Sequence, residues 1–349
     1  MMNHNATIES IVDAELRDGI VHGIAILAGM PEERLYTLEK GFTTPKHDYP
    51  MTLDTVIDAA STTKVTCGIT PLLILHHRGL IDFDAPFTEY LPQYDAKLFC
   101  PVSVRQLANH TSGFYPQQGW YCWTRYFSAD GTLFIKRIMH TPPPNPPSAT
   151  PCYSCWNYIL IAQIIQQISG RSLVEFCQNE IFAPLGMASS CLGTPAIGIP
   201  KERLAQTIAT DAPGLISDHQ ARFIFPTGEA TANAGLFTSA NDFEKLLVCY
   251  LHNGEYEGGR LFNEKDLQEA APDTKDKTHG YRRLGWNVWD MHLADKAFGT
   301  SLSHSGASGQ TILFDQKLNK YAIVLTTRFG DYERAKTNRY RIINELLYN

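Results

Sequence analysis

Ser61 and Lys64 are the residues best suited to covalent chemistry, three positions apart in Asp58-Ala59-Ala60-Ser61-Thr62-Thr63-Lys64-Val65. A helix starting at or just before Ser61 puts positions i and i+3 on one face, so hydroxyl and amine become neighbours. A serine hydroxyl is a weak nucleophile until a nearby group takes its proton. A desolvated lysine, or one relaying to a second base, can supply that. The pair alone is also what a capping serine and a solvated helix lysine would look like, so other residues must decide. Tyr153, in Cys152-Tyr153-Ser154-Cys155-Trp156-Asn157-Tyr158, could serve as a general base if lysine charge stabilised its phenolate. In Ser303-His304-Ser305-Gly306-Ala307-Ser308-Gly309, small residues let a substrate lie close and turn N–H groups toward a developing oxyanion. A nucleophile, an amine, a phenol and an oxyanion cradle are the parts of acyl transfer.

These groups are far apart in sequence and need elements to gather them. Thr7 to Leu16 reads as a helix, with Ile8, Ile11, Val12 and Leu16 on one stripe and Thr7 as its cap. Gly23 to Leu27 and Leu35 to Leu38 read as an antiparallel hairpin about the turn Gly29-Met30-Pro31-Glu32-Glu33. Val65 to His77 reads as a buried helix stopped by Gly79 and bent or broken at Pro71. The proline run 141–147 reads as an extended connector that delivers Tyr153 to the apolar helix Trp156 to Ser169. Val104 to Asn109, Ser172 to Ile181, Ala240 to His252 (capped by Asn241) and Arg334 to Leu347 read as further helices, and residues 194 to 232 as a long excursion. Thr311 to Asp315 and Tyr321 to Thr326 read as strands. Strands near both termini with helices between predict an α+β fold: one antiparallel sheet built from the two ends of the chain, flanked by helices, with a mainly helical lobe inserted. The expected organisation is a single catalytic domain, 1–349, with an α/β lobe of about 1–60 and 275–349 and a helical lobe of about 61–274.

With 349 residues, 44% of them hydrophobic and 19% charged, the chain has the profile of a globular protein with a large core. A net charge of -6, without basic blocks, gives no sign of nucleic acid as a partner. No apolar run is long enough to span a bilayer, and the first residues carry no apolar export signal, so a cytoplasmic protein without membrane partners is expected. Eight cysteines in a chain of this size point to reduced thiols. Cys152-x-x-Cys155 lacks the βαβ context of a redox motif and the second pair of a zinc site, so no metal or cofactor is expected. A disulfide straddling Tyr153 would nevertheless switch the site off. The aromatic residues Phe114, Tyr115, Trp120, Tyr121, Trp123, Tyr126 and Phe127 suit a buried core or a loop lining an apolar pocket.

The order Ser-x-x-Lys, Tyr-Ser-x, His-x-Gly resembles the serine β-lactamase and penicillin-binding-protein superfamily on its class C, esterase-like branch. Leu107-Ala108-Asn109-His110-Thr111-Ser112-Gly113, Ala234-Gly235-Leu236-Phe237-Thr238-Ser239-Ala240-Asn241-Asp242 and Leu325-Thr326-Thr327-Arg328 are similar to further segments of that branch. The resemblance extends over roughly residues 8 to 347. It implies the β-lactamase/transpeptidase-like fold, Ser61 as acylated nucleophile, Lys64 as the group easing its deprotonation, and Tyr153 as general base. It also implies His304 as a proton holder near Tyr153 or a polariser of the leaving group, and the N–H groups of Ser61 and Ala307 as oxyanion hole. Cys155, Asn157, Ser305 and Gly306 become the expected substrate contacts, and His110 and Thr111 part of a structural turn.

Two departures bear on substrate. Cys155 stands where the branch carries an asparagine amide, and His304 where penicillin-binding enzymes carry lysine; both changes remove features that hold a β-lactam or a D-Ala-D-Ala carboxylate. The reading is therefore a serine hydrolase that forms an acyl-enzyme with a small ester or amide, including D-amino-acid peptides. A β-lactamase or D,D-peptidase is the alternative among enzymes. A catalytically inactive binding or regulatory member, motivated by Cys155, is the alternative of another class.

Overall fold

The structure is a computed structural model describing residues 4–99, 101–116, 131–148, 150–194, 198–208, 210–269, 282–288, 290–297 and 299–349. Its sheet uses β1 (Val21–Met30), β2 (Glu33–Gly41), β3 (Arg282–Arg283), β4 (Trp286–Asn287), β5 (Ser301–Ser305), β6 (Gln310–Asp315) and β7 (Lys320–Arg328). The helices that matter here are α1 (His4–Arg17), α2 (Thr70–His77), α3 (Cys155–Ser169), α4 (Ala240–Leu251) and α5 (Tyr332–Leu347). Strand order is β2-β1-β7-β6-β5-β4-β3, and each paired neighbour runs antiparallel. The first and last strands of the chain meet at the centre, where Ile24 lies opposite Thr326 and Leu27 opposite Ile323. The fold is α+β.

Alternation along these strands assigns the two faces. Ala25, Leu27, Leu302, Ile312, Phe314, Ile323 and Leu325 belong to the large core shared with α2, α3 and α4. Ile24, Ile26, Leu313, Ala322 and Val324 turn the other way, onto Ile8 and Val12 of α1 and Tyr340 and Ile343 of α5. Two positions beyond Leu302, His304 therefore looks toward the helical region that carries Ser61.

Several local expectations need correction. Helix α1 begins at His4, so Thr7 lies inside it. Ser239 caps α4, accepting from Asp242 N, whereas Asn241 donates its amide to Asp54 (2.7 Å). The excursion 194–232 contains a helix, His219–Ile224, capped by Asp218. Ser61 sits in a 3₁₀ turn, Ala60–Thr62, and Lys64–Ile69 is a π-helical turn before α2. Pro71 lies in the first turn of α2, where its missing N–H costs nothing. The widened turn ahead of it is stitched by Thr70 Oγ1 donating to Val65 O (2.9 Å). Phe114 and Tyr115 pack against Trp156 as core, while Trp120, Tyr121, Trp123, Tyr126 and Phe127 lie outside the described residues. Among the described residues no helix is long and apolar enough to cross a membrane.

Candidate active site

The nucleophile segment is bolted down on both sides of Ser61. Ile57–Asp58 pairs antiparallel with Phe237 and Thr238. The buried Asp58 carboxylate accepts from Ala60 N (3.0 Å) and Ser217 N (2.7 Å). Burial pushes this carboxyl above its usual range, against the pull of those hydrogen bonds. Ala60 is held at φ +44, a conformation that disfavours any residue with a Cβ. Thr63 accepts from Leu236 N (3.1 Å) and donates to Ala60 O (2.6 Å), closing the turn.

Lys64 is fully buried. Its Nζ lies 3.3 Å from Ser61 Oγ, 2.8 Å from Asn233 O and 3.7 Å from Cys155 Sγ. The same atom stands 4.9 Å from the Tyr153 ring centroid and 5.5 Å from that of Tyr158. Burial works against the ammonium, but the anionic forms of Cys155 and Tyr153 outweigh it, so Lys64 titrates above an ordinary lysine. Cys155 itself is pushed up by burial. Both shifts run upward, so the amine and the thiol each hold their proton more tightly than the free groups do.

Tyr153 immediately precedes Ser154, the residue at the start of α3. The proline-rich connector reaches it across Gly113 (φ +81), where a Cβ would sit 2.1 Å from Asn145 O. His110, also at positive φ (+59), accepts through Nδ1 from Ser154 N (3.1 Å) and Asn157 Nδ2 (3.1 Å). Its ring lies 4.3 Å from that of Tyr153. His110 is thus a bracket for the phenol, in keeping with its assignment to a structural turn. Asn157 belongs to the same bracket: it is buried, with Oδ1 accepting from Ser112 Oγ (2.7 Å). It lines neither of the cavities described below, although it is one of the expected substrate contacts. Cys155 lines neither cavity described below; its thiol looks at Lys64.

From the sheet side, His304 donates from Nδ1 to Ser305 O (3.1 Å), leaving Nε2 buried without a partner among the described residues. Burial, then Arg282 and Lys64, hold it well below the usual histidine value, so it is a neutral imidazole with a free acceptor nitrogen. Ser305 Oγ bonds Thr311 Oγ1 (3.0 Å) and Tyr340 OH (3.1 Å). A Cβ on Gly306 would meet Ala59 O at 2.8 Å, so only glycine lets this turn approach the nucleophile segment. Ser308 Oγ donates to Asp58 O (3.1 Å) across the same junction.

Two cavities meet at Ser61 and Ala307. The larger, about 270 Å³, is lined also by Tyr153, Arg282, Asp290, His304 and Lys336. The smaller, about 220 Å³, takes in Ile208, Ser217, Asp218, Ala234 and Arg328. Ser61, Lys64, Tyr153, His304, Ser305, Gly306 and Ala307 are thus gathered at one place. Sequence reasoning missed Asp58, Asn233 and Arg282. The acid three positions before Ser61 was a usable signal for an Asx-type turn, but Asn233 acts through its backbone carbonyl and Arg282 stands in no motif. Among the described residues no group of three His, Cys, Asp or Glu side chains could hold a metal.

The Beta-lactamase family model matches residues 8–347. The chain belongs to the beta-lactamase family. It is a serine hydrolase of that family, with a penicillin-binding-protein-like fold. A protein of Escherichia coli K12 provisionally named a D-alanyl-D-alanine carboxypeptidase is 25% identical over 308 residues, 78% of this chain and 69% of its own length. The D-amino acid amidase of Ochrobactrum anthropi SV3 is 22% identical, with a TM-score of 0.72 over 98% of each chain. The simvastatin synthase of Aspergillus terreus is 19% identical, with a TM-score of 0.74 over all of both chains.

Proposed function

We propose that this protein hydrolyses small esters or amides through an acyl-enzyme on Ser61. The observation that carries the reading is the fully buried Lys64, 3.3 Å from Ser61 Oγ and 4.9 Å from the Tyr153 ring at the meeting point of two cavities. In the reacting state Tyr153 has released its phenolic proton to solvent and is a phenolate beside the Lys64 ammonium, and its oxygen accepts the Ser61 proton as Oγ bonds to the carbonyl carbon. The oxyanion is met by the N–H groups of Ser61 and Ala307, worth roughly 3 kcal/mol per donor in comparable hydrolases. Collapse breaks the bond to the leaving group, which takes the proton back from Tyr153. Water then attacks the acyl-enzyme, its proton passing by the same route to Ser61. His304 supplies an acceptor nitrogen to the larger cavity rather than a charge. Without a cation at position 304 and without an amide at position 155, β-lactam turnover is slow compared with ester turnover.

D-amino-acid amides belong among the proposed substrates, since one structural neighbour is a D-amino acid amidase. We place the activity in the cytoplasm; the free, buried thiols of Cys67, Cys177 and Cys249 suit a reducing compartment. Intact-mass spectrometry after exposure to a fluorophosphonate, a p-nitrophenyl ester and a chromogenic cephalosporin tests the proposal. One adduct on wild type, none on Ser61→Ala, and faster turnover of the ester are expected. An unlabelled but folded wild type refutes it in favour of an inactive binding protein.

A further inference from the structure

We propose that Arg328 is a positioning residue for the oxyanion hole: its guanidinium fixes the backbone of Ala307, and with it the aim of the Ala307 N–H. The inference rests on the acyl-transfer reading of Ser61 and adds to it a residue outside the reacting groups.

The turn between β5 and β6 has to hold one N–H still while charge develops on the substrate oxygen. It is closed by Gly306 N donating to Gln310 O (2.8 Å) and Gly309 N donating to Gly306 O (3.2 Å). Gly306–Gly309 is thus a four-residue turn with Ala307 and Ser308 at its centre. The bond to Gly306 O orients the peptide that carries the Ala307 N–H. The next peptide, Ala307–Ser308, is the central one, and its rotation is what separates turn types I and II. Among the described residues the only hydrogen bond to Ala307 O comes from Arg328 Nε (2.8 Å). Ala307 therefore sits between two pinned peptides, and one of the pins is a side chain.

Arg328 is itself held on several sides. It is the last residue of β7; its N–H donates to Ser308 O (3.4 Å) and its O accepts from Ile208 N (3.1 Å). Nη1 donates to Gly330 O (2.7 Å), and the guanidinium carbon lies 5.4 Å from the Tyr332 ring centroid. The side chain is buried, and among the described residues it forms no ion pair with a carboxylate. Buried cations ordinarily have an anionic partner. Here two backbone carbonyls and a ring face take that place, and one of the carbonyls belongs to the residue whose N–H must be aimed. A planar guanidinium makes its bonds in fixed directions, which an ammonium on a flexible stem does not. Arg328 also lines the smaller cavity together with Ser61, Ala307 and Ser308, so the pin acts at the edge of the reaction centre.

Stopped-flow acylation by p-nitrophenyl butyrate gives the acylation rate constant and the half-saturation concentration separately. Phenylboronic acid, which forms a tetrahedral adduct on serine, samples the oxyanion hole. Arg328→Met is expected to lower the acylation rate constant about 30- to 100-fold, at or below the loss of one oxyanion donor. Phenylboronic acid affinity should fall by a similar factor, while half-saturation moves less than about threefold. Arg328→Lys should lie between Arg328→Met and wild type. A half-saturation concentration that rises as far as the rate falls indicates general loss of packing and overturns the proposal. So does an acylation rate within about threefold of wild type, or a boronic acid affinity that stays at the wild-type value. If Arg328→Met does not fold by circular dichroism, Arg328→Lys carries the same comparison. A loss of at least about threefold in both rate and boronic acid affinity is then expected, and a smaller loss overturns the proposal. These outcomes leave the acyl-transfer reading standing, whereas a wild type that the ester does not acylate overturns both.

Discussion

Lowering the pH probes the two buried histidines of this site directly. His110 and His304 are both held well below the ordinary histidine value, by burial first and then by the Arg282 and Lys64 charges. In the unfolded chain each titrates near 6.5. As pH falls through that value the unfolded state takes up two protons that the native state refuses, so the stability these groups provide is complete above about 6.5 and drains away below it. Between pH 7.5 and pH 5.5 each histidine accounts for about 1.4 kcal/mol, and the pair for about 3 kcal/mol. For a chain of 349 residues that corresponds to a drop in Tm of about 4 °C. Melting curves of wild type, His304→Gln and His110→Gln at both pH values isolate the effect, because other titrating groups are common to all three. Each variant should lose about 2 °C less than wild type over the interval. If His304→Gln shows the full wild-type loss, His304 is not a neutral imidazole in the native protein.

Two further substitutions test how Ser61 is held. Ala60→Gly relieves a positive φ and should raise stability by about 1 kcal/mol in urea titration, while the loosened nucleophile segment lowers kcat. Gly306→Ala drives a Cβ to 2.8 Å from Ala59 O, pushing the β5–β6 turn away from Ser61; a loss of about 100-fold in kcat is expected in ester hydrolysis with the fold intact by circular dichroism.

The sheet, α3 and the terminal helices were legible because their apolar positions recur at the periods of strands and helices. Leu313, Ala322 and Val324 on one face and Ile312, Phe314 and Ile323 on the other illustrate it. Strand β5 was missed because Ser301, Ser303, His304 and Ser305 carry no alternation of apolar and polar residues, although Leu302 and His304 face one way. Caps were misread where two candidates stood close together, as with Ser239 and Asn241. Ser61, Lys64, Tyr153 and the His304–Ala307 segment were legible as types at spacings, and the structure gathers them. What the spacings did not carry is direction. Asn157 turns into the His110 bracket, and Cys155 turns toward Lys64; both follow from where their Cβ atoms point on the first turn of α3.

The direction of Cys155 bears on how Lys64 is held without the amide common to the family branch. The thiol contact is long, 3.7 Å, and sulfur is a weak hydrogen-bonding partner. The bond to Asn233 O, at 2.8 Å, is the stronger anchor. That carbonyl is fixed in turn by the Asn233 side chain, which accepts from Thr231 Oγ1 (2.5 Å) and donates to Asp218 Oδ1 (3.1 Å). Cys155→Ala should therefore cost about 1 kcal/mol of stability for a small buried void and change kcat little. Asn233→Ala frees the loop that carries the carbonyl, and with it the position of the lysine, so kcat should fall at least tenfold while KM moves less. Single-turnover acylation by a p-nitrophenyl ester separates the two variants. If Cys155→Ala proves the more damaging, the thiol and not the backbone carbonyl sets the lysine, and cysteine at this position is a working part of the site instead of a tolerated replacement for asparagine.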